Sequence, residues 1–480
     1  MHPTMKLNFQ RNEVAALVSA FVLTALCAAA ATKPNIVFFL ADDLGYMDIG
    51  ANNPGTFYET PNIDRLAKQG MRFTQGYAAC PVCSPTRASI MTGKYPPRTG
   101  ITDFIPGMRS GKLRSAPNAD HLRLEEVTLA ERLRDAGYAT FFAGKWHLGD
   151  GDYSPNAQGF DPGLLGTRQF YYPPSDEPLT GLRDDPKTTD RIANEAVKFI
   201  GAHKDKPFFA YLPFLAVHIP VAARPGLVDK YEKKKISGTP DAWGKEGGSK
   251  VRLVQNHAAY AAMVEQLDSA VGRVLDALER NGMNERTIVV VMSDNGGLST
   301  AEGHPTSNLP LRGGKGWLYE GGIREPWLMR VPRVTTPGSV CDTPVVSNDY
   351  YPTLLELAGL PLFPKQHRDG VSLVPLLKGR KLKRGPIFWH YPHYSNQGGP
   401  PGGAVRDGDW KLIEWYEDGA IELFNLRADP GETNNLSLQN PARVKKLHAR
   451  LVAWRHDVKA IMPVPDLDFG KVEPLRLGPK

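Results

Sequence analysis

Four stretches of this chain are apolar without alternation and end in polar groups. Residues 35–43 (NIVFFLADD) end in two carboxylates and residues 138–149 (YATFFAGKWHLG) run into Lys145 and His147. Residues 206–220 (KPFFAYLPFLAVHIP) reach His218, and residues 286–297 (RTIVVVMSDNGG) reach Asp294 and Asn295. Unbroken Val, Ile and Phe runs of this kind predict strands buried on both faces, as in a parallel sheet. Between them the period lengthens to that of a helix. Thr60-Pro61 offers an N-cap and a first-turn proline for a helix stopping at Gly70, and Thr128 caps another that stops at Gly137. Over residues 260–279, Met263, Leu267, Val271, Val274 and Leu278 share one helical face. The alternation predicts an α/β fold. In open α/β sheets ligands bind outside the carboxyl ends of the strands, so the four polar endings would gather in one place.

After about Gly370 the pattern changes. AVRDGDWKLIEWYEDGAIELFNL alternates and carries a turn at Glu417-Asp418-Gly419, which predicts an antiparallel hairpin. Residues 395–404 (SNQGGPPGGA) read as a loop, and PARVKKLHARLVAWRHDVKAI as a helix. The expected organisation is a signal peptide at 1–31, a catalytic domain at 32–370 and a smaller α+β subdomain with an antiparallel sheet at 371–480. The signal rests on Lys6 and Arg11 ahead of an apolar stretch and the small residues of CAAAAT. That stretch is too short to span a bilayer comfortably, and no later segment reads as transmembrane. The mature protein is expected in the periplasm or outside the cell.

The 480 residues allow one large core and a smaller one. A hydrophobic content of 41% with 23% charged residues is that of an ordinary folded protein. The formal net charge of +7 is scattered, with short basic runs at 233–235 and 378–384. No basic helix with interleaved aromatics is present, which argues against nucleic acid, while the mild positive balance suits anionic substrates. Of four cysteines, Cys27 would leave with the signal, and Cys80, Cys83 and Cys341 remain. An odd number leaves at least one thiol unpaired. A lone C-x-x-C at Cys80–Cys83 lacks the second ligand pair of a structural zinc site.

Asp42, Asp43, Asp294 and Asn295 are hard oxygen donors. Their convergence would be repulsive without a cation, and the donor type favours Ca²⁺ or Mg²⁺. Arg87, Lys145, Lys315, His147 and His218 around such a cation suit a substrate with several anionic oxygens, such as sulfate or phosphate. Cys83 stands just before Pro85, where a helix would present its positive end to an anion. A thiolate could be activated there, yet an oxygen nucleophile fits a hard cation better.

These residues resemble the type I, formylglycine-dependent sulfatases of the alkaline-phosphatase superfamily. The signature C-x-P-x-R appears as Cys83-Ser84-Pro85-Thr86-Arg87, with Thr where many members carry Ser or Ala. NIVFFLADDLGYMDIG, GYATFFAGKWHLG, VVVMSDNGG, RGGKGWLYEGGIREP and DGDWKLI…ELFNLRADPGETNNL extend the resemblance from Lys33 to about Leu436. It implies a large mixed, mostly parallel sheet flanked by helices. It implies conversion of Cys83 to formylglycine (3-oxoalanine) by a formylglycine-generating enzyme, the hydrated aldehyde providing the oxygen nucleophile. By resemblance, Asp42, Asp43, Asp294, Asn295 and the modified Cys83 hold Ca²⁺, and Arg87 holds the diol. Lys145 and Lys315 bind sulfate, His218 with Lys315 protonates the departing sugar oxygen, and His147 takes the proton of the second hydroxyl as sulfate leaves.

The expected substrate is a sulfated carbohydrate with galactose, N-acetylgalactosamine or related units. His304 is the first candidate to face the sugar, and Asp103, His390, His393 and Arg406 are weaker ones. Two other readings are a phosphodiesterase or phosphonate monoester hydrolase of the same superfamily, and a glycan-binding protein without activity. The oxygen-only ligand set argues against the former, whose metal usually takes histidines. The intact set of Cys83, Arg87, two lysines and two histidines argues against the latter.

Overall fold

The first apolar run forms strand β1 (Asn35–Ala41), buried along its whole length. Its two faces serve different layers: Val37 and Phe39 join one apolar cluster, and Ile36, Phe38 and Leu40 join another. That is why the run shows no alternation. The computed structural model of the protein describes residues 33–470, apart from 108, 168, 177, 179–180 and 236–240. The signal peptide expected at 1–31, with Cys27, lies outside the described residues.

With β1, strands β2 (Met71–Phe73), β3 (Ala139–Phe142), β4 (Phe208–Pro213), β5 (Thr287–Ser293), β6 (Trp327–Arg330) and β7 (Ser339–Cys341) build a seven-stranded sheet in the order β7-β2-β6-β5-β1-β4-β3. The four strands β5, β1, β4 and β3 are parallel, and β6 runs against both its neighbours, so the sheet is mixed and mostly parallel, as expected. Helices α1 (Pro61–Gln69), α2 (Cys83–Thr92), α3 (Leu129–Asp135), α4 (Thr189–Ala202), α5 (Ala258–Arg280) and α6 (Tyr350–Leu357) cover its faces. The side bearing Val37 and Phe39 packs against α1, α4 and α5, and the side bearing Phe38 against α2, α3 and α6. Thr128 caps α3 as read from the sequence, in a reciprocal pair with Glu131.

Each strand is shorter than its apolar run. The run through Phe142 breaks before Lys145 because Gly144 takes φ +133°, and a Cβ there would stand 2.0 Å from the carbonyl oxygen of Pro213. Register then matters. Ala41 pairs with Ser293, Leu40 with Pro213 and Phe142 with Tyr211, so the polar endings leave the sheet at one level.

Towards the C-terminus, β8 (Ile387–Tyr391), β9 (Gly402–Asp407), β10 (Trp410–Trp415) and β11 (Ile421–Asn425) form an antiparallel sheet, with the expected turn between β10 and β11. The loop expected over 395–404 is shorter than that, because Gly402–Ala404 already belong to β9. Gly402 is required there: a Cβ would lie 2.8 Å from the Trp415 ring. On one face Leu412 and Leu423 meet Leu447, Leu451 and Trp454 of helix α7 (Pro441–Asp457). On the other, Trp389, Ile413 and Phe424 pack with Tyr77, Trp317 and Val346 of the main body. None of the described helices is long and apolar enough to cross a membrane.

A charge cluster sits in that second contact. Lys411 of β10 lies 3.1 Å from Glu320 and 2.8 Å from Glu432, with all three side chains inaccessible to solvent. Burial, opposed by Lys411, pushes the Glu432 carboxyl up to about 7. Arg324 also stands 3.7 Å from Glu320, but Lys411 is the cation shared by both carboxylates, so Lys411→Met is expected to cost about 3–5 kcal/mol. Denaturant titration checks this, and wild-type stability in the variant contradicts it.

Candidate active site

The register of β1 against β5 creates the centre of the site. Asp42 and Asp43 follow Ala41, and Asp294 and Asn295 follow Ser293, so two polar pairs leave adjacent parallel strands side by side. The amide of Asp294 donates to the Ala41 carbonyl at 3.1 Å, and the amide of Asp43 donates to Asp294 Oδ1 at 3.2 Å. Asn295 Nδ2 donates to Asp43 Oδ1 at 2.8 Å. Asp43 is held at φ +67° and His147 at φ +57°, a left-handed conformation that costs a non-glycine residue about 1–3 kcal/mol.

Cys83 is the first residue of α2, and the whole helix is buried. Its thiol donates to Asp42 Oδ1 at 3.4 Å and accepts from Lys145 Nζ at 3.6 Å. One turn along, Arg87 Nε donates to Asp294 Oδ2 at 2.9 Å, and another guanidinium nitrogen donates to the Lys145 carbonyl at 2.7 Å. Arg87 thus ties the helix to two strand ends. Lys145 Nζ reaches Asp42 Oδ2 at 2.6 Å and Lys315 Nζ reaches Asp43 Oδ1 at 2.8 Å. The Lys315 loop is pinned to both neighbours: its amide donates to Gly297 at 3.1 Å, and that of Gly316 donates to Pro81 at 2.8 Å.

The histidines close opposite sides. His147 Nε2 donates to the Ile105 carbonyl at 2.7 Å, which fixes the tautomer and leaves Nδ1 buried without a partner among the described residues. His218 Nδ1 donates to the Ile219 carbonyl at 2.8 Å, and its Nε2 stands 3.7 Å from Asp43 Oδ2. Burial, with Lys145 beside it, holds the His147 imidazole well below the usual range, and burial with Lys315 lowers His218. Both are therefore neutral bases at rest. Burial alone would raise Asp42, but Lys145, His218, Arg87 and Lys315 outweigh it and hold the carboxyl well below its ordinary range. Burial and the charges of Asp42 and Asp43 push Asp294 up, against Arg87 and Lys145. Burial and Asp294 push the Cys83 thiol well up, against Lys145 and Lys315. An unmodified Cys83 is thus a neutral thiol here, not a thiolate.

The residues fit a divalent cation. Donor atoms of Asp42, Asp43, Cys83 and His218 lie within 4.8 Å of one another. Asn295 Oδ1 is buried with no hydrogen-bond partner among the described residues, an acceptor aimed at nothing the chain supplies. Three carboxylates already balance three cations, so an entering anionic ester would leave the site negative unless a further positive charge accompanies it.

All the core positions singled out in the sequence meet in one place. Asp42, Cys83, Lys145, His147, His218 and Lys315 line one cleft of about 380 Å³, with Arg87, Asp294 and Asn295 beneath it. His304 does not line it. Its carbonyl accepts from Arg252, and its ring stands edge-on to Trp243 at 5.4 Å. The weaker candidates serve packing. Asp103 accepts from the Tyr391 hydroxyl, His390 binds Tyr416 and Ile461, His393 binds Thr102, and Arg406 donates to Tyr77. Sequence reading missed five polar wall residues: Gln169, Lys187, Glu302, Asn396 and Gln397. They come from loops whose composition looks solvated, and only their delivery to the cleft distinguishes them.

The chain is similar to known proteins over most of its length. A family profile described as Sulfatase matches residues 34–360, and one described as N-sulphoglucosamine sulphohydrolase, C-terminal, matches residues 314–457. The chain is 35% identical over 512 residues to a protein named Sulfatase from Formosa agariphila, with 88% of each chain covered. It is 32% identical over 441 residues to N-acetylgalactosamine-6-sulfatase of Mus musculus, covering 85% of this chain and 77% of that one. Among solved structures, Ps i-CgsB in complex with k-i-k-neocarrahexaose superposes with a TM-score of 0.74 at 28% identity, over 92% of this chain and 96% of that one.

A cation bound only by the folded site raises stability by about 2.7 kcal/mol at a hundred times its Kd. Adding Ca²⁺ to chelator-treated protein is expected to raise the melting temperature, and Asn295→Ala to shrink the rise. Equal melting temperatures with and without the ion contradict the assignment.

Proposed function

We propose that this chain, which belongs to the sulfatase family, the type I sulfatases of the alkaline-phosphatase superfamily, and is a sulfuric ester hydrolase, acts on sulfate esters of glycans with galactose, N-acetylgalactosamine or related units. The substrate class is supported by the names of a mouse relative acting on N-acetylgalactosamine-6-sulfate and of a solved relative holding a neocarrahexaose. The basic balance of the chain suits an anionic glycan. The reading places the enzyme in the periplasm or outside the cell, with residues 1–31 as a removed signal. It takes 32–370 as the catalytic part, and 371–480 as a subdomain that lends Asn396 and Gln397 to the cleft wall.

One observation carries the mechanism: the amino end of α2 sets Cys83 between the carboxylates of Asp42 and Asp294 and the ammonium groups of Lys145 and Lys315. Converted to formylglycine by a formylglycine-generating enzyme, Cys83 would supply a hydrated aldehyde, an oxygen nucleophile with a second hydroxyl for sulfate release. Ca²⁺, held by Asp42, Asp43, Asp294, Asn295 and that side chain, would offset charge on the sulfate oxygens. Lys145 and Lys315 bind the same oxygens, each exchanging part of its pairing with a carboxylate for the ester. Arg87 keeps the helix end and Asp294 in fixed relation, so the nucleophile is positioned before substrate arrives. A sugar alkoxide leaves poorly unless protonated. His218, with Lys315 beside it, serves as the general acid once the entering anionic ester has drawn a second proton onto the imidazole, and because Nδ1–H is committed to Ile219 that proton is taken up and delivered at Nε2. His147 accepts a proton at the partnerless Nδ1 to complete release.

Mass spectrometry of the peptide containing Cys83 in active enzyme is expected to show the aldehyde or its hydrate. Cys83→Ser, which lacks the second hydroxyl, is expected to lower turnover by at least about a thousandfold while keeping the fold. Activity with an unaltered thiol, or wild-type turnover by the serine variant, overturns the nucleophile. Faster hydrolysis of phosphate than sulfate esters in paired assays under Ca²⁺ and Mn²⁺ overturns the reaction class.

A further inference from the structure

The cleft contains a lysine that sulfate transfer leaves unused. Lys187 lines its wall and is 6% exposed. Lys145 and Lys315 each sit against a carboxylate at 2.6 and 2.8 Å, whereas Lys187 has no carboxylate within 4.0 Å among the described residues, and its ammonium donates no hydrogen bond there. Burial, with Asp42 and Asp43 opposing it and Lys145 adding to it, brings this ammonium down to about 8. Its place in the chain adds a second cost, because it stands two residues before α4, where the helix dipole favours anions.

No structural need explains that position. The amino end of α4 is already capped by Asp185, which accepts from the Arg191 amide at 2.9 Å and from Gln266 Nε2 at 3.2 Å. The adjoining Thr188 hydroxyl is bound to the Tyr172 hydroxyl at 2.6 Å. The backbone carrying Lys187 is therefore fixed on both sides, and the cation is pre-positioned rather than free to swing into solvent. Among the described residues, the same cleft also holds an unpaired acidic group. Glu302 lines the same wall space with one carboxylate oxygen buried and without a partner among the described residues. The charge of Glu302 acts on Lys315, while Lys187 feels Lys145. The cleft wall thus adds one cation within reach of Lys145 and one carboxylate within reach of Lys315.

We propose that Lys187 is a specificity residue that binds a second anionic group, a sulfate or a carboxylate, on the sugar carrying the scissile ester. Glu302 accepts sugar hydroxyls and repels an anion placed beside it. The inference rests on the glycan sulfatase reading and adds the direction and charge of the substrate's second group. An entering anion relieves the unpaired cation, and a charge-assisted hydrogen bond to a largely buried ammonium is among the stronger contacts a neutral sugar cannot reproduce.

Inhibition of 4-nitrophenyl sulfate hydrolysis tests it with three competitors: N-acetylgalactosamine 6-sulfate, N-acetylgalactosamine 4,6-disulfate and a monosulfated glucuronic acid. Wild-type enzyme is expected to bind one of the doubly charged sugars about 10-fold or more tightly than the singly charged one. Which of the two it prefers identifies the second group as sulfate or carboxylate. Lys187→Met is expected to lose that discrimination, and Lys187→Arg, which keeps the charge, to retain it. Equal binding of singly and doubly charged sugars by the wild type, or discrimination that survives in Lys187→Met, overturns the inference and leaves the sulfatase reading standing. A Met variant with wild-type melting temperature and no aryl sulfate turnover would place Lys187 in sulfate transfer and also overturns it. Aryl sulfate turnover that none of the sugars inhibits defeats the glycan reading, and the inference with it.

Discussion

The pairing of β1 with β5 governs this structure. Because Ala41 lies opposite Ser293, the chain leaves both strands at the same height, and four oxygen-bearing side chains are delivered to one point. A shift of one residue would turn Asp42 and Asp294 towards opposite faces. The register is secured from below by the two-sided burial of β1, where Phe38 and Val37 fill different layers. Core packing and site geometry are therefore the same constraint seen from two ends of one strand pair.

Bringing those carboxylates together in a buried place is costly, and the rest of the site follows from offsetting that cost. Lys145 comes from the end of β3, Lys315 from a glycine-rich loop and Arg87 from α2, each meeting a carboxylate within 3 Å. Arg87 also holds the Lys145 carbonyl, so the elements that supply the charges are locked to one another. The two histidines remain neutral because cations and burial surround them. In a site so arranged the chain's own charges nearly cancel and are held in place in advance of reaction, the condition under which fixed dipoles and charges lower a barrier most.

The C-terminal sheet is more than an appendage to this centre. Its inner face covers Trp317 and Tyr319, on the loop that presents Lys315, and Trp317 Nε1 donates to the Gln397 carbonyl at 2.9 Å. The buried Lys411 with Glu320 and Glu432 joins the same two parts of the chain. The segment between β8 and β9 then places Asn396 and Gln397 on the cleft wall. The floor of the site belongs to the parallel sheet, while part of its rim belongs to the antiparallel one. Such a division lets reaction and substrate choice depend on different residues.

By itself the sequence determined the class of fold and the floor of the site. Unbroken apolar runs ending in Asp, Asn, Lys and His announced buried parallel strands with chemistry at their carboxyl ends, and Cys83-Ser84-Pro85-Thr86-Arg87 identified the family resemblance. These signals are local, since a strand buried on both faces writes its environment into consecutive residues. Where the apolar runs stop was not legible, because Gly144 breaks one of them to avoid a carbonyl on another strand. Nor was the strand within 395–404, where Gly402 is fixed by the ring of Trp415 thirteen residues on. His304 lies off the cleft, while Lys187 and Glu302 line it, and nothing in their neighbours along the chain separates the three. Tertiary structure alone decided the wall, because a charged residue in a loop becomes part of a site only when distant segments bury it and leave its charge without a partner.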